Sequence, residues 1–131
     1  MMFDLRLLSR RLPLTRNELV AILDYAYGAN IKEGYMMPDL IVVIVLDKED
    51  FEARKEHEGI EGEIYSFYIA EPVDTIVLRG DLPVNFIVHE VLKQMRVIAQ
   101  YRIMGIIDYD EAEEWAKQKF MSALAYMARV A

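Results

Sequence analysis

The chain has 131 residues, 54% of them hydrophobic, with a formal net charge of −7 and no cysteine. That length fits one domain spanning residues 1–131, long enough to bury most of its apolar surface. The missing thiols exclude disulfides, thiolate metal sites and a cysteine nucleophile, so only histidine and carboxylates are left to hold a metal. The acidic balance argues against non-specific nucleic-acid binding, which needs clustered Lys and Arg to neutralise phosphates.

Charged residues interrupt every apolar run before the roughly 18–20 residues of a bilayer span. No basic segment followed by an apolar stretch and a cleavage site opens the chain. A cytoplasmic protein without a membrane segment is therefore expected. The uncharged polar residues are sparse, with two Thr, three Ser, three Asn and three Gln against abundant Glu, Arg, Ile and Val. This is the pattern of hyperthermophile proteins, which carry many charges and few thermolabile side chains.

Taken in chain order, "FDLRLL" alternates Phe3, Leu5 and Leu7 with Asp4 and Arg6, as a half-buried strand does. The surrounding "RLLSRRLPLTR" is the one basic cluster. It reads first as a solvated segment and second as a docking surface for an acidic partner or phosphate. "TRNELVAILDYAYG" starts a helix with Thr15 and Glu18 at capping-box spacing, places Leu19, Ile22 and Ala26 on one stripe and reaches Gly28 near its end. "DLIVVIVLD" is a run of β-branched residues suited to a central strand covered on both faces. Residues 47–62, "DKEDFEARKEHEGIEG", lack an apolar stripe and read as a long exposed excursion with at most a helical turn.

"EIYSFYIA" and "VDTIVLRG" are two strands joined through Glu71 and Pro72 as antiparallel neighbours. Pro83 opens a long helix that ends at Gly105. Asp108 and Glu111 have capping-box spacing at the start of the last helix, whose apolar face comprises Ala112, Ala116, Phe120, Ala123, Met127 and Val130. The order β-α-β-β-β-α-α predicts an α+β domain, with a small mixed sheet of 3–4 strands, an N-terminal helix and two long C-terminal helices packed on it.

The stretch "LPVNFIVHEVLKQM" contains the His89-Glu90 pair, with Lys93 one helical turn after the histidine. A zinc protease carries H-E-x-x-H here, so that two imidazoles one turn apart meet one metal and the glutamate polarises a water. An edge-like strand "DTIVLRG", the His-Glu helix and the acidic helix start "DYDEAEEWAKQKF" follow in order. Over Val73 to Phe120 this arrangement resembles the minimal zincin-like metalloproteases, in a degenerate form that lacks the second histidine. The resemblance implies His89 as a zinc ligand, Glu90 as general base and Glu113 or Glu114 as the downstream ligand. Lys93 stands in the second ligand's place, and a protonated ammonium repels a metal ion. His57 is the other histidine and could in principle substitute. The plainer reading makes His89, Lys93, Arg96 and Gln100 the solvent-facing polar stripe of an amphipathic helix, with Glu113 paired to Lys117.

No glycine-rich phosphate loop is present, and Ser9, Ser66 and Ser122 lack a nucleophile-elbow context. Tyr25, Tyr27, Tyr35, Met36 and Met37 gather around the first helix, while Trp115, Met121 and Tyr126 fall off the last helix's apolar stripe. Residues of these types suit an interface with a second copy or another protein. A non-catalytic, self-assembling structural or interaction protein without a cofactor is the leading expectation. The composition looks like that of small cysteine-free proteins of hyperthermophilic archaea and their viruses. A zinc-dependent peptidase using His89 and Glu90 is the alternative, and a nucleic-acid-associated regulator acting through the basic N-terminal cluster is the weaker one.

Overall fold

The computed structural model describes residues 2–131. Its elements are β1 (Met2–Leu7), α1 (Arg16–Lys32), β2 (Leu40–Leu46), α2 (Lys48–His57), β3 (Ser66–Ile69), β4 (Thr75–Arg79), α3 (Val84–Met104) and α4 (Tyr109–Val130). The fold is α+β with a small mixed sheet in the order β1-β2-β4-β3. β1, β2 and β4 run parallel, and β3 pairs antiparallel with β4. No described helix is long and apolar enough to cross a membrane.

β2 lies inside the sheet, and Ile41 to Leu46 are all buried, as its unbroken β-branched run requires. Alternation divides that run between two cores. Ile41, Val43 and Val45 join Ile76 and Leu78 under α1, α3 and α4. Val42, Ile44 and Leu46 join Val77, Phe67 and Phe51 on the opposite face, beneath α2. The excursion expected at residues 47–62 thus contains a ten-residue helix. Its one buried side chain, Phe51, is too little to mark an apolar stripe in the sequence.

The strand expected at the sheet edge, "DTIVLRG", is interior: β4 sits between β2 and β3, and Thr75 to Leu78 are buried. β3 is the edge. Beyond β4 the chain passes so close to β2 that a Cβ on Gly80 would lie 2.5 Å from Val45 Cγ1, a contact only glycine avoids.

α1 is held at its start by both halves of the capping box, Glu18 N to Thr15 Oγ1 at 3.1 Å and Thr15 N to Glu18 Oε1 at 2.9 Å. It continues through Gly28 to Lys32 rather than ending near that glycine, and Gly34, with φ 92°, marks the true exit. α3 ends on Gly105 in the left-handed conformation, as expected. At the start of α4 only half of the expected box forms. Asp108 accepts from Glu111 N at 3.1 Å, while Asp108 N donates to Gln100 and the Glu111 carboxylate is turned to Arg96 and Gln100. On α4, Ala112, Ala116 and Ala123 are buried and Phe120 and Met127 pack against the core as expected, but Val130 is exposed and Trp115, expected off the stripe, is buried.

Trp115 is drawn inward by a cation. Arg96, 5% exposed, sends Nε and Nη2 to Glu111 at 2.8 and 3.0 Å, and Nη1 to Asn30 at 2.9 Å and Glu33 at 3.1 Å. Its guanidinium lies 4.3 Å from the Tyr35 ring centroid and 4.9 Å from that of Trp115, whose Nε1 donates to Glu33. The planar fork and the two π faces suit arginine specifically. Replacing Arg96 by Met leaves Glu111 without its cation and Glu33 with Lys119 alone; both carboxylates reach solvent, and we expect a loss of about 2 kcal/mol in urea unfolding, with Arg96→Lys failing to restore it.

Candidate functional site

His89, Glu90, Lys93 and Gln94 occupy two successive turns of α3. The spacing places His89 and Lys93 on the side facing α4, and Glu90 and Gln94 on the side facing the sheet. Glu90 is 4% exposed and accepts from Ser66 Oγ of β3 at 2.6 Å. Gln94 Nε2 donates to the same Ser66 oxygen at 2.9 Å, leaving Gln94 Oε1 as a buried acceptor with no partner among the described residues.

On the α4 side, His89 Nε2 donates to Glu113 Oε1 at 2.8 Å. Lys93 bridges the two carboxylates, with Nζ 3.2 Å from Glu90 Oε1 and 3.7 Å from Glu113 Oε2. Burial alone would raise the Glu113 carboxyl, but the hydrogen bond from His89 and the nearby His89, Lys93 and Lys117 charges hold it below its ordinary value. Glu113 therefore meets α3 rather than serving only as a helix partner of Lys117.

The expected solvent-facing stripe is also revised. Arg96 and Gln100 are buried, because α4 packs along this side of α3 and supplies the carboxylates they need. Of the two downstream candidates, Glu113 is in the cluster and Glu114 is exposed. His57 is exposed at the end of α2, a helix that covers the opposite sheet face, so it does not join His89.

This donor set does not suit zinc. An ammonium sits on the carboxylates that would ligate it, and the His89 Nε2 that would bind it carries a proton toward Glu113. Among the described residues, no group of three or more His, Cys, Asp or Glu side chains is arranged to hold a metal ion. The cluster does present a local acid–base array beside a cleft of 230 Å³ that runs over the β3 edge. Ile60, Ile64, Tyr68, Lys93, Gln94 and Tyr109 are among its lining residues.

The proposed interface residues separate by environment. Trp115 and Tyr27 are buried, with Tyr27 donating to Pro38 O at 3.1 Å. Tyr35 stacks on Arg96, and Met37 packs against the core. Tyr25 and Tyr126 contact each other, with ring centroids 5.8 Å apart. They form one wall of a cleft of 520 Å³ between α1 and α4. Met36 and Met121 project outward, 73% and 71% exposed. In the basic N-terminal cluster, Arg10, Arg11 and Arg16 are exposed, and the backbone there is pinned by Asp47, which accepts from Ser9 Oγ and Arg10 N.

Two buried polar residues, at opposite ends of the β3 and β4 pair, had little sequence signal. Ser66 interrupts the aromatic "IYSFYI", the one cue to a polar contact beneath that strand. Asp74, 3% exposed, accepts from the Tyr68 hydroxyl and from Arg102. Burial, and then the Asp74 hydrogen bond, raise the Tyr68 hydroxyl above its ordinary value.

The carboxylates facing α3 carry a pH dependence. Glu111 is lowered by its hydrogen bond from Arg96, which outweighs burial, and Glu113 is lowered as described, both from an ordinary 4.5. A depressed carboxyl stabilises the fold above its unfolded value, and that stabilisation is lost as pH falls through the folded value. The urea midpoint should hold above the ordinary carboxylate value of 4.5 and fall as the pH is lowered below it. Glu111→Gln combined with Glu113→Gln should flatten that decline.

The chain matches no protein-family model, and no curated protein and no solved structure matches it.

Proposed function

We propose that this chain is a non-catalytic, self-associating interaction protein on a degenerate zincin-like frame. The observation that carries the reading is the position of Lys93 Nζ, 3.2 Å from Glu90 and 3.7 Å from Glu113. The lysine holds together as an ion-pair cluster the residues that a hydrolytic centre would array around a metal. Support for the frame comes from element order: the strand β4, here inside the sheet rather than at its edge, then the His-Glu helix α3, then a helix that returns Glu113 to His89. Support for association comes from exposed Met36, Ile103, Met104, Ile106 and Met121, and from a sheet that ends in the strands β1 and β3, whose outer backbone groups can pair with another chain.

The composition fits a hyperthermophilic archaeal or viral source. In that setting the protein works inside the cell or the virion, as a structural component or by contacting a host protein.

Zinc titration calorimetry tests the non-catalytic reading. The protein should show no stoichiometric zinc binding, while Lys93→His, which removes the ammonium and supplies an imidazole one turn from His89, should gain a site that depends on His89 and Glu113. Stoichiometric zinc in the unaltered protein, lost in His89→Ala, would overturn the reading. Sedimentation at high protein concentration tests association, and a strict monomer would remove it.

A further inference from the structure

The free edge of β1 has a residue pattern complementary to itself. β1 pairs on one side only, with β2. Met2 N donates to Asp39 O and Leu8 N to Val45 O. Backbone groups along a strand alternate in direction, so Met2, Asp4, Arg6 and Leu8 direct theirs toward β2, and Phe3, Leu5 and Leu7 direct theirs off the edge. Their side chains divide the same way. Phe3, Leu5 and Leu7 pack toward the main core, while Asp4 and Arg6 lie on the other face with side chains 43% and 56% exposed. Met2 and Leu8, each 63% exposed, flank them.

We infer that two copies of this chain pair through β1, antiparallel, about a two-fold axis at Leu5. This rests on the self-association proposed above and names the surface that performs it. With the axis at Leu5, the outward backbone groups of Leu5 meet those of Leu5 in the partner copy, and those of Phe3 meet those of Leu7, as an antiparallel ladder requires. On the exposed face Asp4 lies opposite Arg6, Arg6 opposite Asp4, and Met2 opposite Leu8 at both ends. Every charge meets its opposite and every apolar side chain meets another.

The neighbouring registers fail. Sliding by one permitted step puts Asp4 against Asp4 in one direction and Arg6 against Arg6 in the other, and like charges directly opposite destabilise a pair. Such exposed pairs add little affinity, so their role is to select the register, while the backbone ladder and the apolar pairs supply the attraction. The contact is isologous and closes at two copies. It joins the two sheets into one, with four strands from each copy.

Sedimentation equilibrium of the full chain, of Asp4→Arg, of Arg6→Asp and of an equimolar mixture of the two variants tests the pairing. Both side chains are exposed, so the variants should keep the fold, checked by circular dichroism. The unaltered chain should be a dimer. Each variant alone places like charges opposite each other twice, and should dissociate at least about tenfold more readily. The mixture should restore dimers, because one chain then carries two arginines and the other two aspartates. A dimer equally tight in both variants would overturn the β1 pairing and leave self-association standing through another surface. Variants that are monomeric both alone and mixed would overturn the proposed register and with it the inference. A monomeric unaltered chain would overturn both proposals.

Discussion

The guanidinium of Arg96 is the contact on which the helical layer depends. It is a charge in the interior, and a buried charge is tolerated only when it is paired and hydrogen-bonded. Here the partners are of three kinds: Asn30 of α1 with Glu33 just beyond it, Glu111 of α4, and the rings of Tyr35 and Trp115. Satisfying one side chain therefore places α1 and α4 against α3. The contacts between α3 and α4 then form a ladder that descends α4 as it climbs α3: His89 and Lys93 to Glu113, Arg96 and Gln100 to Glu111, Gln100 to Asp108. The His89 cluster is one rung of that ladder and shares its purpose of joining the helices.

Seen this way, Lys93 reconciles two demands. Glu90 is buried against β3, and the partly exposed Glu113 is drawn toward α3, so two carboxylates converge on Lys93. Without a cation between them the two carboxylates would repel. A lysine provides the positive charge from within the chain, with no dependence on a metal supply. Charge of this kind also weakens less with temperature than an isolated surface pair would suggest, since the cost of desolvating ions falls on heating.

Much of the fold was legible because its strongest signals are local. The β-branched run of β2, the Thr15 and Glu18 box, and the glycine at 105 each specify their element through one nearby interaction. The resemblance names Glu113 and Glu114 only as alternative zinc ligands, and spacing leaves the two equivalent; the direct contact of Glu113 with His89 depends on how α4 packs on α3. What escaped the sequence depends on long-range pairing. His89, Lys93, Arg96 and Gln100 look like a solvent stripe unless one knows that α4 brings acceptors to them. Trp115 lies off the apolar stripe of its own helix because the ligand that holds it is a cation on another helix. The edge strand is "SFYI" and not "DTIVLRG", a distinction set by tertiary packing that leaves no mark in local alternation.

α2 has a different standing from the other helices. One aromatic, Phe51, fastens it to the sheet, and the rest of "KEDFEARKEH" is charged or small. Local opening free energy follows buried apolar contact, and α2 supplies a single buried side chain to the face that holds Val42, Ile44, Leu46 and Val77, where Ile60, Ile64, Ile69 and Val73 also pack. The two faces of the sheet are thus covered in different ways: one by three interlocked helices, and the other by one short, highly charged helix and the apolar side chains of the chain that follows it.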